Sequence, residues 1–157
     1  MPTVYEKIIT MFNENKIQYS EEEHHYEGYG ENVAKFHGLD EKCGAKALIV
    51  KLKKPDNYCL VVLPFDKRLN MKSLQKTMSA KGASFASLDK SQELTNSVVG
   101  AIPPFSFDKD LVLVVDNAIK ENKKLFFNAG RLDRSVAINT GDYLKLVGLA
   151  IFADVSQ

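Results

Sequence analysis

The chain has 157 residues, 45% of them hydrophobic and 26% charged, with a formal net charge of +1. This composition excludes a disordered or fibrous chain and suits one domain over residues 1–157. The charge is too small for a general nucleic-acid binder, though a local basic patch on a nucleotide end stays possible, and runs such as Leu111 to Val115 are too short to span a bilayer.

Val4, Ile8, Ile9 and Phe12 recur at helical spacing, and Thr3 with Glu6 forms a capping box ahead of them. Glu6 and Lys7 interrupt this apolar pattern, so the segment is not a signal peptide, and a cytoplasmic protein is expected. A short strand is predicted around Ile17 to Tyr19, followed by an acidic, histidine-rich loop, SEEEHHYEGYG, whose acid runs from Glu21 to Glu27. A second helix covers Glu31 to Phe36 or His37 and stops at Gly38. Strands follow near Ala45 to Leu52 and Tyr58 to Leu63, joined by the turn sequence KKPDN. A third helix is predicted over Met71 to Ala80, ending before Gly82, and a short fourth over Ser91 to Ser97.

GAIPPF, from Gly100 to Phe105, cannot be regular structure because of its paired prolines. Leu111 to Val115 reads as a fully buried strand. Leu125 to Phe127 and Ser135 to Ile138 read as a strand pair around NAGRLDR. Thr140 or Asp142 would cap a last helix through Leu146, and Ala150 to Val155 would be a final strand. Helices and strands mix without βαβα alternation, which predicts an α+β fold over a doubly wound one.

The chemistry-bearing residues each have an ordinary reading beside a functional one. His24 and His25, near Glu21 to Glu23, would point to opposite faces on a strand and so would not chelate together; a solvated loop and no metal are expected. Cys43 and Cys59 show no CxxC or zinc-finger spacing and read as free thiols. The lysines 51, 53 and 54, the lysines 120, 123 and 124, and Arg131 with Arg134 read as solvated surface. No nucleophile elbow, HExxH, P-loop or dinucleotide fingerprint is present, so no cofactor is expected.

Two features stand out. Lys46 shares a strand face with Leu48, Val50 and Leu52. It could snorkel to solvent, or it could place a positive charge at a pocket mouth for a phosphate or carboxylate. GAIPPF is stiff and glycine-bearing, so it could be a plain crossing loop or could present backbone groups of Gly100, Ala101 and Ile102 to a small polar ligand.

The ordered set GAKALIV, GAIPPF and FFNAGRLDRSVAINTGDYLKL, with YGENVAKFHGLDEKCGAKAL leading in, resembles the YbaK/ProX family. These are trans-editing aminoacyl-tRNA deacylases related to the editing domain inserted in bacterial prolyl-tRNA synthetases. The likeness runs from about Ile17 to Val155. It implies a mixed, barrel-like β-sheet surrounded by helices. By the resemblance, Lys46 corresponds to the family's functional lysine, and Gly100 and Pro104 to the ends of its GxxxP motif. Asn128, Ala129 and Gly130 match its small-residue pocket loop, and Asp142 falls where relatives often carry an acid. Some relatives have a tyrosine in the loop after the first strand, where this chain has Ser20 between Tyr19 and Tyr26, and the acidic loop is unusual for a surface facing tRNA.

The resemblance implies hydrolysis of the ester of a misacylated tRNA carrying a small amino acid, mainly by positioning substrate, with a ribose hydroxyl helping the water. Lys46, Gly100 and Asp142 would form the catalytic set, and Ala101, Ile102, Pro104, Asn128, Ala129 and Gly130 would bind substrate. The acceptor end of tRNA is the expected partner, with a synthetase as a further candidate, no DNA and no membrane, and a monomer or homodimer equally open. The competing reading is a non-catalytic module that binds tRNA ends, a synthetase or a small metabolite. A thiol enzyme using Cys43 or Cys59 ranks below both.

Overall fold

Helix α1 (Val4–Glu14) begins where the capping box places it. Thr3 Oγ1 accepts from the Glu6 N–H at 3.1 Å, and the Glu6 carboxylate accepts from the Thr3 N–H. One face of the helix buries Val4, Ile8 and Phe12, which is what the spacing requires. The computed structural model describes residues 1–24 and 31–157, so the predicted loop from His25 to Gly30 lies outside the described residues.

The strands form two sheets. In the first, β1 (Tyr19–Glu23), β6 (Lys124–Arg131) and β7 (Arg134–Asn139) run antiparallel in the order β1-β7-β6. In the second, β2 (Ala45–Lys53) and β3 (Asn57–Pro64) pair antiparallel. β4 (Gly82–Phe85) joins the outer edge of β2, while β5 (Leu111–Asp116) and β8 (Ile151–Ala153) extend the other side in parallel. The order is β4-β2-β3-β5-β8. Helices α2 (Glu31–His37), α3 (Met71–Thr77), α4 (Leu88–Thr95) and α5 (Thr140–Leu146) complete the described elements.

The α+β expectation therefore holds, but the sheet is not a closed barrel. The two sheets meet at an isolated parallel bridge between Gly44 and Phe126 rather than through a continuous ladder. One core spans both: Leu60 and Val62 of the second sheet pack with Phe127 and Val136 of the first and with Ile8 and Phe12 of α1.

Several boundaries move. The first strand starts two residues later than Ile17 and runs on to Glu23, taking in the acids expected in a solvated loop. Glu21 and Glu23 pair with Arg134 at 2.8 and 3.3 Å, and the Tyr5 hydroxyl donates to Glu21, so this acid is matched inside the fold. His24 is buried rather than solvated; its N–H donates to the Asp133 carbonyl. β4 went unpredicted because it is a short, half-exposed edge strand with no apolar alternation. The residues NAGR continue β6 rather than forming a loop, with a bulge between Asn128 and Arg131 where Gly130 takes φ +78°. Neither Thr140 nor Asp142 caps α5: Asn139 holds that position, without a side-chain hydrogen bond.

Gly44 is required by the junction. A Cβ there would lie 2.9 Å from Phe126 Cζ and 3.2 Å from the Glu41 carbonyl oxygen and from Phe65 Cβ. The carbonyl is backbone and cannot swing away. Gly44→Ala is expected to lower stability by about 1–3 kcal/mol, the usual cost of overpacking, measured as a lower urea midpoint with an unchanged slope.

Candidate active site

Where the sheets meet, the strands part and leave a cavity of about 240 Å³. The start of β2 forms one wall with Gly44 to Leu48, and Phe126 to Asn128 of β6 form another. Val33 of α2, Phe65, and the loop residues Val99, Gly100 and Ile102 close it. Among these described lining residues, Lys46 is the one charged side chain and Asn128 the one other polar one.

Lys46 is placed by strand alternation. Leu48, Val50 and Leu52 turn the same face of β2 into the second apolar cluster, and Lys46, at the strand's start, emerges at the cavity. Its Nζ donates to the Phe65 carbonyl at 3.3 Å and stands 5.8 Å from the Phe65 ring centre. Burial pulls its pKa below the ordinary lysine value, with Arg68 pushing the same way and Asp66 opposing. The lysine is thus a half-buried cation at the cavity wall, partly shielded from water.

The glycine loop is fixed at three points. Asn128 Nδ2 donates to the Gly100 carbonyl at 2.8 Å. The Gly130 N–H donates to the Ala101 carbonyl at 3.0 Å. The buried Tyr143 hydroxyl, on α5, donates to the Pro104 carbonyl at 2.8 Å. Phe105 then packs edge-on against Phe12, Phe127 and Tyr143. Gly100 has φ +104°, a conformation that a side chain would strain. The loop is therefore rigid, as its prolines predict, and β6 holds it against the cavity.

Asn128 has a second property. Its Oδ1 is buried and makes no hydrogen bond among the described residues. A buried acceptor left unpaired costs about 1–3 kcal/mol, and the residue that carries it is one of those lining the cavity.

The expected site residues divide. Lys46, Gly100, Ile102 and Asn128 line the cavity. Ala101 and Ala129 are fully buried behind it, and Gly130 sits against Val4 of α1. Alternation along β6 turns Ala129 off the face of Asn128, and the bulge between Asn128 and Arg131 carries Gly130 away from it. Pro104 lies off the lining, with its carbonyl bonded by Tyr143, and Asp142 lies in the first turn of α5, also off the lining. The carboxylate that acts on Lys46 is Asp66, which sequence reasoning missed along with Val33, Gly44, Phe65 and Phe126. Adjacent positions in GAK and FFN hint at Gly44 and Phe126; the others come from chain segments that only the fold brings near.

Helix α2 is seated over this wall by Val33 and Ala34 against Phe126 and Ala137. Its last residue, His37, bonds the buried Ser135 hydroxyl through Nε2 at 2.7 Å, and His24 Nε2 reaches the same hydroxyl at 3.2 Å. Among the described residues, no group of three His, Cys, Asp or Glu is placed to hold a metal ion. Cys59 is buried in β3 and its thiol is pushed up to about 12, while burial also raises Cys43. Neither lines the cavity.

This geometry agrees with comparisons to known proteins. Residues 28–146 match the model of the aminoacyl-tRNA editing domain. The chain belongs to that family. It is 34% identical over 145 residues to the multifunctional Ser/Thr-tRNA deacylase ProXp-y of Escherichia coli K12, covering 90% of this chain and 87% of the relative. The crystal structure of a hypothetical protein superposes with a TM-score of 0.84 at 27% identity, over 97% of this chain and 100% of that one. A candidate trans-editing enzyme for prolyl tRNA synthetase shares the fold at TM-score 0.83 and 15% identity, covering 100% of this chain and 99% of that one.

The titration of Lys46 can be read directly. Its side-chain NMR resonance is expected to titrate below the ordinary lysine value of about 10.4. Asp66→Asn removes the opposing charge and should move the midpoint further down; an upward move would refute the assignment of Asp66.

Proposed function

We propose that this protein hydrolyses the ester of misacylated tRNA in trans, with a small hydroxyl-bearing aminoacyl group as its preferred cargo. The observation that carries the reading is Asn128, which lines the cavity together with Lys46 and whose buried Oδ1 has no hydrogen-bond partner among the described residues. A serine or threonine hydroxyl could donate to that acceptor. An alanine side chain of similar size would leave it unpaired. The similarity to the Ser/Thr-tRNA deacylase supports the same cargo.

A cavity of about 240 Å³ holds an aminoacyl group with part of the terminal ribose, not a folded tRNA end. Size exclusion of this kind is what a second sieve needs, because one methylene in a synthetase pocket discriminates by only about 10- to 200-fold. In this reading Lys46 holds the terminal phosphate or nearby polar atoms. The Gly100 loop, kept rigid by Asn128 and Tyr143, presents backbone groups to the substrate. The described lining offers no carboxylate, histidine or thiol as general base, so rate comes from positioning and from fixed dipoles around the ester carbonyl. A substrate ribose hydroxyl would order the water. The protein would act in the cytoplasm on tRNA already released from, or presented by, a synthetase. Asp142, off the lining, would contribute through the placement of α5 and Tyr143.

Turnover of alanyl-, cysteinyl-, seryl-, threonyl- and prolyl-tRNA tests this. Seryl- and threonyl-tRNA should have the highest kcat/KM, and binding without hydrolysis anywhere in the panel would mark a non-catalytic module instead. Asn128→Ala should cost seryl-tRNA more than alanyl-tRNA. Lys46→Ala should lower kcat/KM for every substrate by about 10- to 100-fold, the loss of one charge-assisted hydrogen bond.

A further inference from the structure

Ala47 is one of the residues that line the cavity, and its neighbours fix which way its backbone faces. The Gly44 carbonyl accepts from the Phe65 N–H at 2.8 Å, so even-numbered residues of β2 direct their backbone groups to β3. The Ile49 carbonyl accepts from the Ala86 N–H at 3.0 Å, on the opposite edge. Backbone groups alternate sides along an antiparallel strand, so Ala47 directs both its N–H and its C=O to the edge that Ile49 uses.

That edge is vacant at Ala47. β4 covers it only from Val50 to Lys53, and the bridge to Phe126 lies at Gly44. Among the described residues, neither β4 nor β6 reaches Ala47. An open strand edge offers a donor and an acceptor at fixed spacing, and here both face a cavity that also holds Lys46 and Gly100.

Resting on the deacylase reading, we infer that the Ala47 backbone binds the aminoacyl group as a one-residue strand. The α-ammonium and carbonyl of an aminoacyl ester stand in the same relation as the N–H and C=O of a strand residue. The ammonium donates to the Ala47 carbonyl, and the ester carbonyl accepts from the Ala47 N–H, as in one hydrogen-bonded pair of an antiparallel ladder. The N–H then serves the reaction. As water adds to the carbonyl carbon, the C=O π pair moves onto the oxygen that Ala47 holds. Collapse restores the C=O bond and breaks the bond to the ribose oxygen, which leaves with the proton taken from the water. Every aminoacyl group carries these two atoms, so the edge reads the common part of the substrate and Asn128 reads the variable part.

The test uses amide hydrogen exchange of the wild-type protein with 3′-seryl-amino-3′-deoxyadenosine, an amide-linked substrate mimic. The Ala47 amide should exchange readily in the free protein and about tenfold more slowly at saturation, the effect of one net hydrogen bond. Adenosine alone should not slow it. If the mimic binds, as seen by shifts at Lys46 and Gly100, but Ala47 is unaffected, this inference fails and the deacylase reading stands. If adenosine alone protects Ala47, the edge serves the nucleoside and the inference also fails. If the mimic does not bind, both fail. A second arm uses Ala47→Pro, which removes an N–H that the ladder does not use. The folded variant should lose about 10²- to 10³-fold in kcat, the usual cost of one oxyanion donor; wild-type turnover would overturn the role in catalysis.

Discussion

The molecule depends on a single close approach between two sheets. Gly44 brings the start of β2 against Phe126 of β6, at a distance that leaves no room for a side chain. Because the approach is one bridge and not a ladder, the strands diverge immediately beyond it, and the space between them is the cavity. A continuous ladder would have closed a barrel and filled this space with hydrogen bonds. Lys46, two residues past the junction, stands at the cavity for the same reason.

The second requirement is stiffness. Paired prolines limit the conformations of the glycine loop, but they do not say where it lies. Asn128, Gly130 and Tyr143 supply that by binding three carbonyls of the loop, at Gly100, Ala101 and Pro104. Each anchor comes from β6 or α5, elements rooted in the main core. A site with no carboxylate, histidine or thiol among the described lining residues would gain from such fixed dipoles, since a donor that moved with the reaction would lose most of its effect.

Much of this was legible in the chain before the fold. The capping box at Thr3 and Glu6, the apolar face of β2 and the stiffness of GAIPPF are local signals, and local signals survive in sequence. Lys46 stood out because a lysine broke an aliphatic alternation, and Asn128 through family likeness. What failed was non-local. Glu21 and Glu23 looked solvated because Arg134, their partner, lies more than a hundred residues away. NAGR looked like a turn because glycine and asparagine favour one, yet β7 holds it as a bulged strand. The resemblance put Ala129 and Gly130 in the pocket loop; in the bulged strand Ala129 packs in the core and Gly130 against Val4 of α1. Val33, Phe65 and Asp66 carry no local mark at all.

The state of the two thiols has a consequence for where such chemistry can operate. Peroxide attacks a thiolate, not a thiol. Burial keeps the Cys59 sulfur protonated, with its value pushed up to about 12, and raises that of Cys43 as well. Neither sulfur borders the cavity. Among the described residues, the cavity lining therefore offers no thiol for an oxidant to modify, unlike a site built around a cysteine nucleophile.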